Sequence, residues 1–155
     1  MIDELCNELK NWFDETSDGE RRCYYGMFHI ENGSIDLVGT GIQEGQYYRI
    51  VGSVFNDGVH QHPADDLTDE TFIGSVWAMA IPQEVIALSA EIDDWIAKYQ
   101  TPDSAAMSPF TSESFGGYSY SKGSSSSSTG SGSGQAGTWQ NAFAARLSKW
   151  RRIRA

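Results

Sequence analysis

Residues 45–61 read GQYYRIVGSVFNDGVHQ. The run Tyr47–Val51 is rich in β-formers, and Asn56-Asp57-Gly58 follows it with turn chemistry. The pattern predicts a β-hairpin with a tight turn and Gly58 at a left-handed position. Toward the N-terminus, YYGMFHIENGSIDLVG (24–39) places Asn32-Gly33 between two short runs, the strongest short-range hairpin signal. Toward the C-terminus, LTDETFIGSVWAMAIP (67–82) adds a strand over 71–79. Five or so short strands within 23–81 predict a small curled sheet or partial barrel.

Helical patterns flank this β-rich stretch. Ile2, Leu5, Cys6, Leu9, Trp12 and Phe13 predict an amphipathic helix over 2–15, stopped by Asp18-Gly19. Pro82 opens a second helix over 82–99, where its missing N–H costs nothing. Val85, Leu88, Ile92, Trp95 and Tyr99 step by 3, 4, 3 and 4, with Glu84, Glu91, Asp93, Asp94 and Lys98 on the other faces. Such a stripe is the ordinary mark of core packing.

The last third changes character. Phe115, Gly116-Gly117, Tyr118 and Tyr120 read as a short extended segment. Residues 121–137, nearly all Ser and Gly, read as a linker spanning about 20–25 Å. Thr138 then reads as an N-cap, and Trp139, Phe143, Leu147 and Trp150 step by 4, 4 and 3 beside Arg146, Arg151 and Arg152. This predicts a basic, aromatic helix over 138–154 that docks, either on its own body or on another subunit. The expected fold class is α+β: three main helices, a β-rich insert between the first and second, and a Ser/Gly-tethered C-terminal helix. The expected division is a body over 1–110 and an arm over 111–155.

Charge follows the same division. Up to Glu113 the chain carries 21 acids and 5 bases, a balance of −16; beyond it there are no acids and 6 bases. An acidic body argues against gripping nucleic acid, because phosphate binding needs Lys and Arg. No apolar run approaches the ~20 residues of a membrane span, and Met1 leads into an acidic helical pattern rather than a signal peptide. Cys6 and Cys23 form no CxxC, so a reduced, cytosolic setting is expected.

Catalytic signals are absent. His60 and His62, with Asp65, Asp66, Asp69 and Glu70 nearby, offer two imidazoles and a carboxylate suited to Zn²⁺. No third ligand stands at a fixed spacing, and nothing places His29. Neither a phosphate-binding loop nor a dinucleotide fingerprint, nucleophile elbow or HExxH occurs. No catalytic residue, metal or cofactor is assigned, and the chain is not expected to be an enzyme.

Three stretches carry a resemblance: 45–61, then LTDETFIGSVWAMAIPQEVIALSAEIDDWIAKY (67–99), then SPFTSESFGGYSYSK (108–122) with TWQNAFAARLSKWRRI (138–153). The chain resembles the head–tail connector (adaptor, head-completion) proteins of tailed phages and prophages of Gram-positive hosts. The resemblance implies a ring, commonly a dodecamer, beneath the portal vertex of the virion neck, assembled in the host bacterial cytoplasm. The implied partners are the portal protein, a stopper or tail terminator and, for the β-rich insert, the major capsid protein. DNA passes through the ring without specific binding, which an acidic wall suits. Trp139, Phe143, Arg146, Leu147, Trp150, Arg151 and Arg152, with Phe115, Tyr118 and Tyr120, are then the expected portal or partner interface. Val85, Leu88, Ile92, Trp95 and Tyr99 are the expected ring-packing residues. The simplest adaptors are mostly helical, so the insert departs from the pattern. Two other classes stand beside this one: a module binding capsid or carbohydrate through Tyr47 and Tyr48, and a small metal-dependent enzyme using His60 and His62.

Overall fold

Residues 45–61 form β3 (Tyr47–Val51) and β4 (Gly58–Gln61), antiparallel, with Tyr47 opposite Gln61 and Ile50 opposite Gly58. The computed structural model describes residues 1–16, 19–100, 112–115, 118–121 and 138–152, with backbone alone at 112–115 and 118–121. The expected tight turn is instead a six-residue loop over 52–57. Gly52 (φ 96) opens it, and Gly58, at the positive φ expected of it (134), closes it as the first residue of β4. The loop is built on side chains. Asp57 Oδ1 accepts the Gly52 and Ser53 N–H groups at 2.6 and 3.1 Å. Buried Asn56 donates to the Thr68 carbonyl at 2.9 Å and accepts the Thr68 N–H at 2.8 Å. These Asp and Asn side chains offer the backbone bonds that a two-residue turn would have supplied.

The other strands are β1 (Cys23–Glu31), β2 (Ser34–Ile35) and β5 (Glu70–Ala78). The five strands make one curled antiparallel sheet in the order β2-β1-β5-β3-β4. The Asn32-Gly33 hairpin forms as expected, with Asn32 at φ 53 and Gly33 at φ 77, both positive as its turn type demands. Glycine is required twice at position 33, because a Cβ there would lie 2.3 Å from the Asp65 carbonyl oxygen. Alternate residues of the strands make the core: Phe28, Ile30, Ile35, Tyr48, Ile50, Phe72 and Val76, closed by Leu37, Ala64 and Leu67. Phe28 and Phe72 sit directly opposite in register and stack at 5.5 Å.

Among the described residues there are four helices: α1 (Ile2–Leu9), α2 (Gln83–Tyr99), α3 (Trp139–Ala142) and α4 (Ala144–Ser148). Helix α1 buries Leu5, Cys6 and Leu9 but ends six residues before the expected 15. Lys10 turns left-handed (φ 51), with its N–H on the Asn7 carbonyl and the Asn11 N–H on the Cys6 carbonyl, a Schellman pair. Asn11 Oδ1 then accepts the Phe13 N–H at 3.1 Å, so Trp12 and Phe13 leave the helix for contacts of their own. The expected stop at Asp18 lies outside the described residues. Helix α2 matches its expected span.

The C-terminal expectation of one helix over 138–154 is corrected. Thr138 does precede the first turn with extended backbone, but its side chain caps nothing. Phe143 (φ −107) separates α3 from α4, and the helix is over by residue 149. Beyond it, the Arg152 N–H donates to the Leu9 carbonyl at 3.1 Å and Asn11 Nδ2 donates to the Trp150 carbonyl at 3.1 Å. These tertiary bonds take the backbone groups that a longer helix would have used. Residues 153 and 154 lie outside the described set, as do linker residues 122–137 and the expected 110/111 boundary.

The extended Tyr segment is a hairpin, β6 (Ser112–Phe115) with β7 (Tyr118–Ser121), a separate two-stranded sheet. The chain divides into two compact units, Met1–Ser89 with Trp150–Ala155, and Ala90–Lys149.

Candidate interaction sites

In the first unit the C-terminal segment clasps the residues that follow α1. Asp14 is only 2% exposed, and Arg152 Nη1 approaches its Oδ1 at 3.3 Å while Nη2 donates to Glu15. Arg21 Nε lies 3.8 Å from Asp14 and 3.6 Å from Glu15. Arg151 pairs with Glu8, and the Trp150 ring meets Phe13 edge-on at 6.2 Å. Two guanidinium groups thus flank a desolvated carboxylate that would otherwise be a buried, unpaired charge. The acids of this cradle, Glu8, Asp14 and Glu15, come from the body, and two of the three expected basic anchors meet them. The arm therefore returns to its own chain at Arg151 and Arg152.

In the second unit Arg146 makes a forked pair with Glu91, Nη1 to Oε2 at 2.5 Å and Nη2 to Oε1 at 3.1 Å. The hydrogen bonds from Arg146 hold the Glu91 carboxyl below its ordinary range, and Glu91 raises Arg146 in turn. Both side chains are half exposed, so this pair is a weak tie. Phe143 meets Trp95 edge-on at 6.3 Å, and Trp95 packs on Tyr99 at 5.5 Å. Trp139 and Leu147 are buried. Of the expected ring-packing stripe, Val85, Leu88 and Ile92 are buried within the single chain, and Trp95 and Tyr99 keep part of their surface. Phe115, Tyr118 and Tyr120 sit on β6 and β7, and their side chains lie outside the description.

Sequence patterns gave no sign of a cluster around Arg49. Its guanidinium lies 4.3 Å from the Trp12 ring and 5.0 Å from the Trp77 ring, which meet edge-on. A cavity of about 180 Å³ opens beside it, lined by Asp3, Asn7, Trp12, Arg49, Asp57 and Gly58. Register carried the signal: Arg49 is opposite Trp77 across β3 and β5. Nearby, burial and then Asp3 push the Cys6 thiol up to about 12, so it is inert as a nucleophile.

At the two alternative sites the structure separates the residues, with Tyr47 half-buried on β3. Tyr48 is fully buried in the sheet core, where burial pushes its phenol up to about 12. It therefore lines no concave binding surface. His60 Nε2 lies 2.8 Å from the Asn56 carbonyl and so donates to it, while the ring packs 5.7 Å from Tyr48. Among the described residues no three His, Cys, Asp or Glu side chains are grouped closely enough to hold a metal ion.

The outer face of the sheet is different. Tyr25, Met27 and Ile73 are 80, 61 and 62% exposed, and Met27 is directly opposite Ile73. They form an uncovered apolar strip on an acidic protein, which marks a contact surface more often than a solvated one. No protein-family model, no curated protein and no solved structure matches this chain.

Proposed function

We propose that the chain is a structural assembly protein, the head–tail connector of a tailed-phage virion, whose copies form a ring in the neck between the portal and the stopper or tail. The observation that carries this reading is the apolar strip Tyr25–Met27–Ile73, three exposed side chains that share one face of the sheet, whereas the other exposed large apolar residues, Val38, Val54 and Phe55, lie on loops. A subunit that works by contact with neighbours keeps such a surface, while a solitary acidic protein gains nothing from it. The −16 balance up to Glu113 suits a channel wall past which DNA slides. The ties of Arg151 and Arg152 to Glu8, Asp14 and Glu15 make the C-terminus part of the body. The portal contact is therefore assigned to the arm residues before them that keep surface, Phe143 and Arg146.

The test is negative-stain imaging and native mass measurement of the purified chain, alone and with the portal protein encoded in the same genome. The expected result is ring-shaped particles that bind the portal, with portal binding weakened by Phe143→Ala together with Arg146→Ala. A chain that stays monomeric and does not bind the portal contradicts the role.

A further inference from the structure

We infer that the open edge of β1 receives the β6–β7 hairpin of a second copy of this chain, so that copies link head to tail. The choice of occupant rests on the assembly role proposed above. The edge itself does not.

Hydrogen-bond parity locates the edge. Glu31 pairs with Ser34 across the two-residue turn, and the Asp36 N–H donates to the His29 carbonyl at 3.2 Å. Odd-numbered residues of β1 therefore aim N–H and C=O toward the β2 side. Even-numbered ones aim toward β5, as the Ala78 N–H on the Arg22 carbonyl at 2.9 Å requires. Strand β2 covers only the end of β1. Cys23, Tyr25 and Met27 consequently present their backbone groups to no strand among the described residues.

This edge lacks the usual protections. Residues 23–28 contain no charge and no proline, the strand is nine residues long, and Tyr25 and Met27 stand exposed beside it. A bare apolar edge of this kind pairs with another chain unless something covers it.

The same chain carries a hairpin that needs a third strand. Strands β6 and β7 form a sheet of two, which is marginal in water by itself. Phe115 closes on Tyr118, and Glu113 on Tyr120, so Ser114 and Ser119 turn their backbone groups outward. Strand β7, YSYS, is uncharged like the edge it would meet. Its four residues span about 13 Å, against about 16 Å for 23–27. From Gln100 to Ser112 the chain can reach at most about 40 Å. Because edge and hairpin are different surfaces, their pairing is heterologous and closes into a ring when the rotation allows. Strand addition of this type draws its affinity from main-chain bonds.

The experiment uses the full chain without any portal protein, so its outcome is independent of portal binding. Tyr25→Pro removes an edge-facing N–H and no bond to β5; Met27→Lys puts a charge on the edge without touching the backbone. Ser114→Pro with Ser119→Pro blocks both outer edges of the hairpin while leaving its internal bonds. Sedimentation at about 100 µM, saturating for a contact with a Kd of about 1 µM, is expected to show assembly of the wild type and monomers of each variant. Mixing Tyr25→Pro with the Ser114→Pro/Ser119→Pro chain is expected to restore pairs and no larger species, one partner supplying the hairpin and the other the edge. Alkylation of exposed Cys23 is expected to slow at least tenfold on assembly. A monomeric wild type overturns the proposal, as does assembly that survives Met27→Lys. Assembly lost in Tyr25→Pro but kept in the hairpin variant also overturns it, and would assign the edge to β1 of the second copy.

Discussion

The two edges of the five-stranded sheet were built to opposite ends. On the β4 side the edge strand is four residues long, α1 approaches it, and the preceding loop is bound to Asn56, Asp57 and Glu70. On the β1 side the strand is nine residues long, two-residue β2 covers only its end, and the uncovered stretch is apolar and uncharged. One edge strand is thus short with a pinned loop beside it, while the other is long and uncharged, and the proposed pairing uses the second. Arg22, just before β1, bonds Asp14 and Ala78 through its backbone, so this pairing lies on the side of β1 that faces β5 and leaves the opposite side as it was.

Disruptions of this contrast rank by burial. Tyr48→Ala removes a fully buried ring from β3, which carries the whole β4 side, and is expected to cost about 3–5 kcal/mol in urea unfolding. A cost below about 1 kcal/mol would mean that the core is assigned wrongly. Asp14→Ala leaves Arg152 without its buried partner. Because Arg152 and Arg21 keep some exposure, the expected loss is about 2 kcal/mol, with a similar loss on deleting residues 150–155. An unchanged midpoint in both would show that the clasp does not form. Arg146→Ala, in the exposed pair with Glu91, is expected to leave the unfolding midpoint where it is.

Glu70 tests the closed side through pH. Partial burial raises its carboxyl, but hydrogen bonds from Ser53, Asn56, Val54 and Phe55 outweigh that and hold it below the ordinary glutamate value. A depressed folded value means that the contribution is fully present above the ordinary value and is lost as pH falls through the depressed one. Wild-type stability should therefore drop more steeply than that of Glu70→Gln as pH falls from about 5 to about 3. Parallel curves for the two proteins would remove Glu70 from the loop.

The strands were legible because their signals are local. Asn32-Gly33 dictates its own turn, and the β-formers of Tyr47–Val51 make the expected strand. Helix α2 was legible for the same reason, its stripe and its proline agreeing. The ends of α1 and of the last helix were not, because long-range partners decide them. Lys10 stops α1 without a glycine, and Trp150 and Arg152 abandon the helix for Asn11 and Leu9, more than a hundred residues away. The aromatic stripe at the C-terminus was legible as a pattern, while the contacts of Arg152 with Asp14 and Glu15 depended on where residues 11–16 run. The cluster of Arg49 with Trp12 and Trp77 needed the register of β3 on β5 and the early exit of Trp12 from α1. The open edge of β1 needed the length of β2, two residues against the nine of β1, which two short runs about Asn32-Gly33 do not give.

The central claim is that this chain assembles with copies of itself through that edge. Sedimentation of the full-length wild type beside Met27→Lys tests it most directly, because Met27 is exposed and its replacement should shift folding stability by no more than about 0.5 kcal/mol. The account predicts an assembled wild type and a folded, monomeric variant. Identical sedimentation of the two proteins, both monomeric or both assembled, would contradict it.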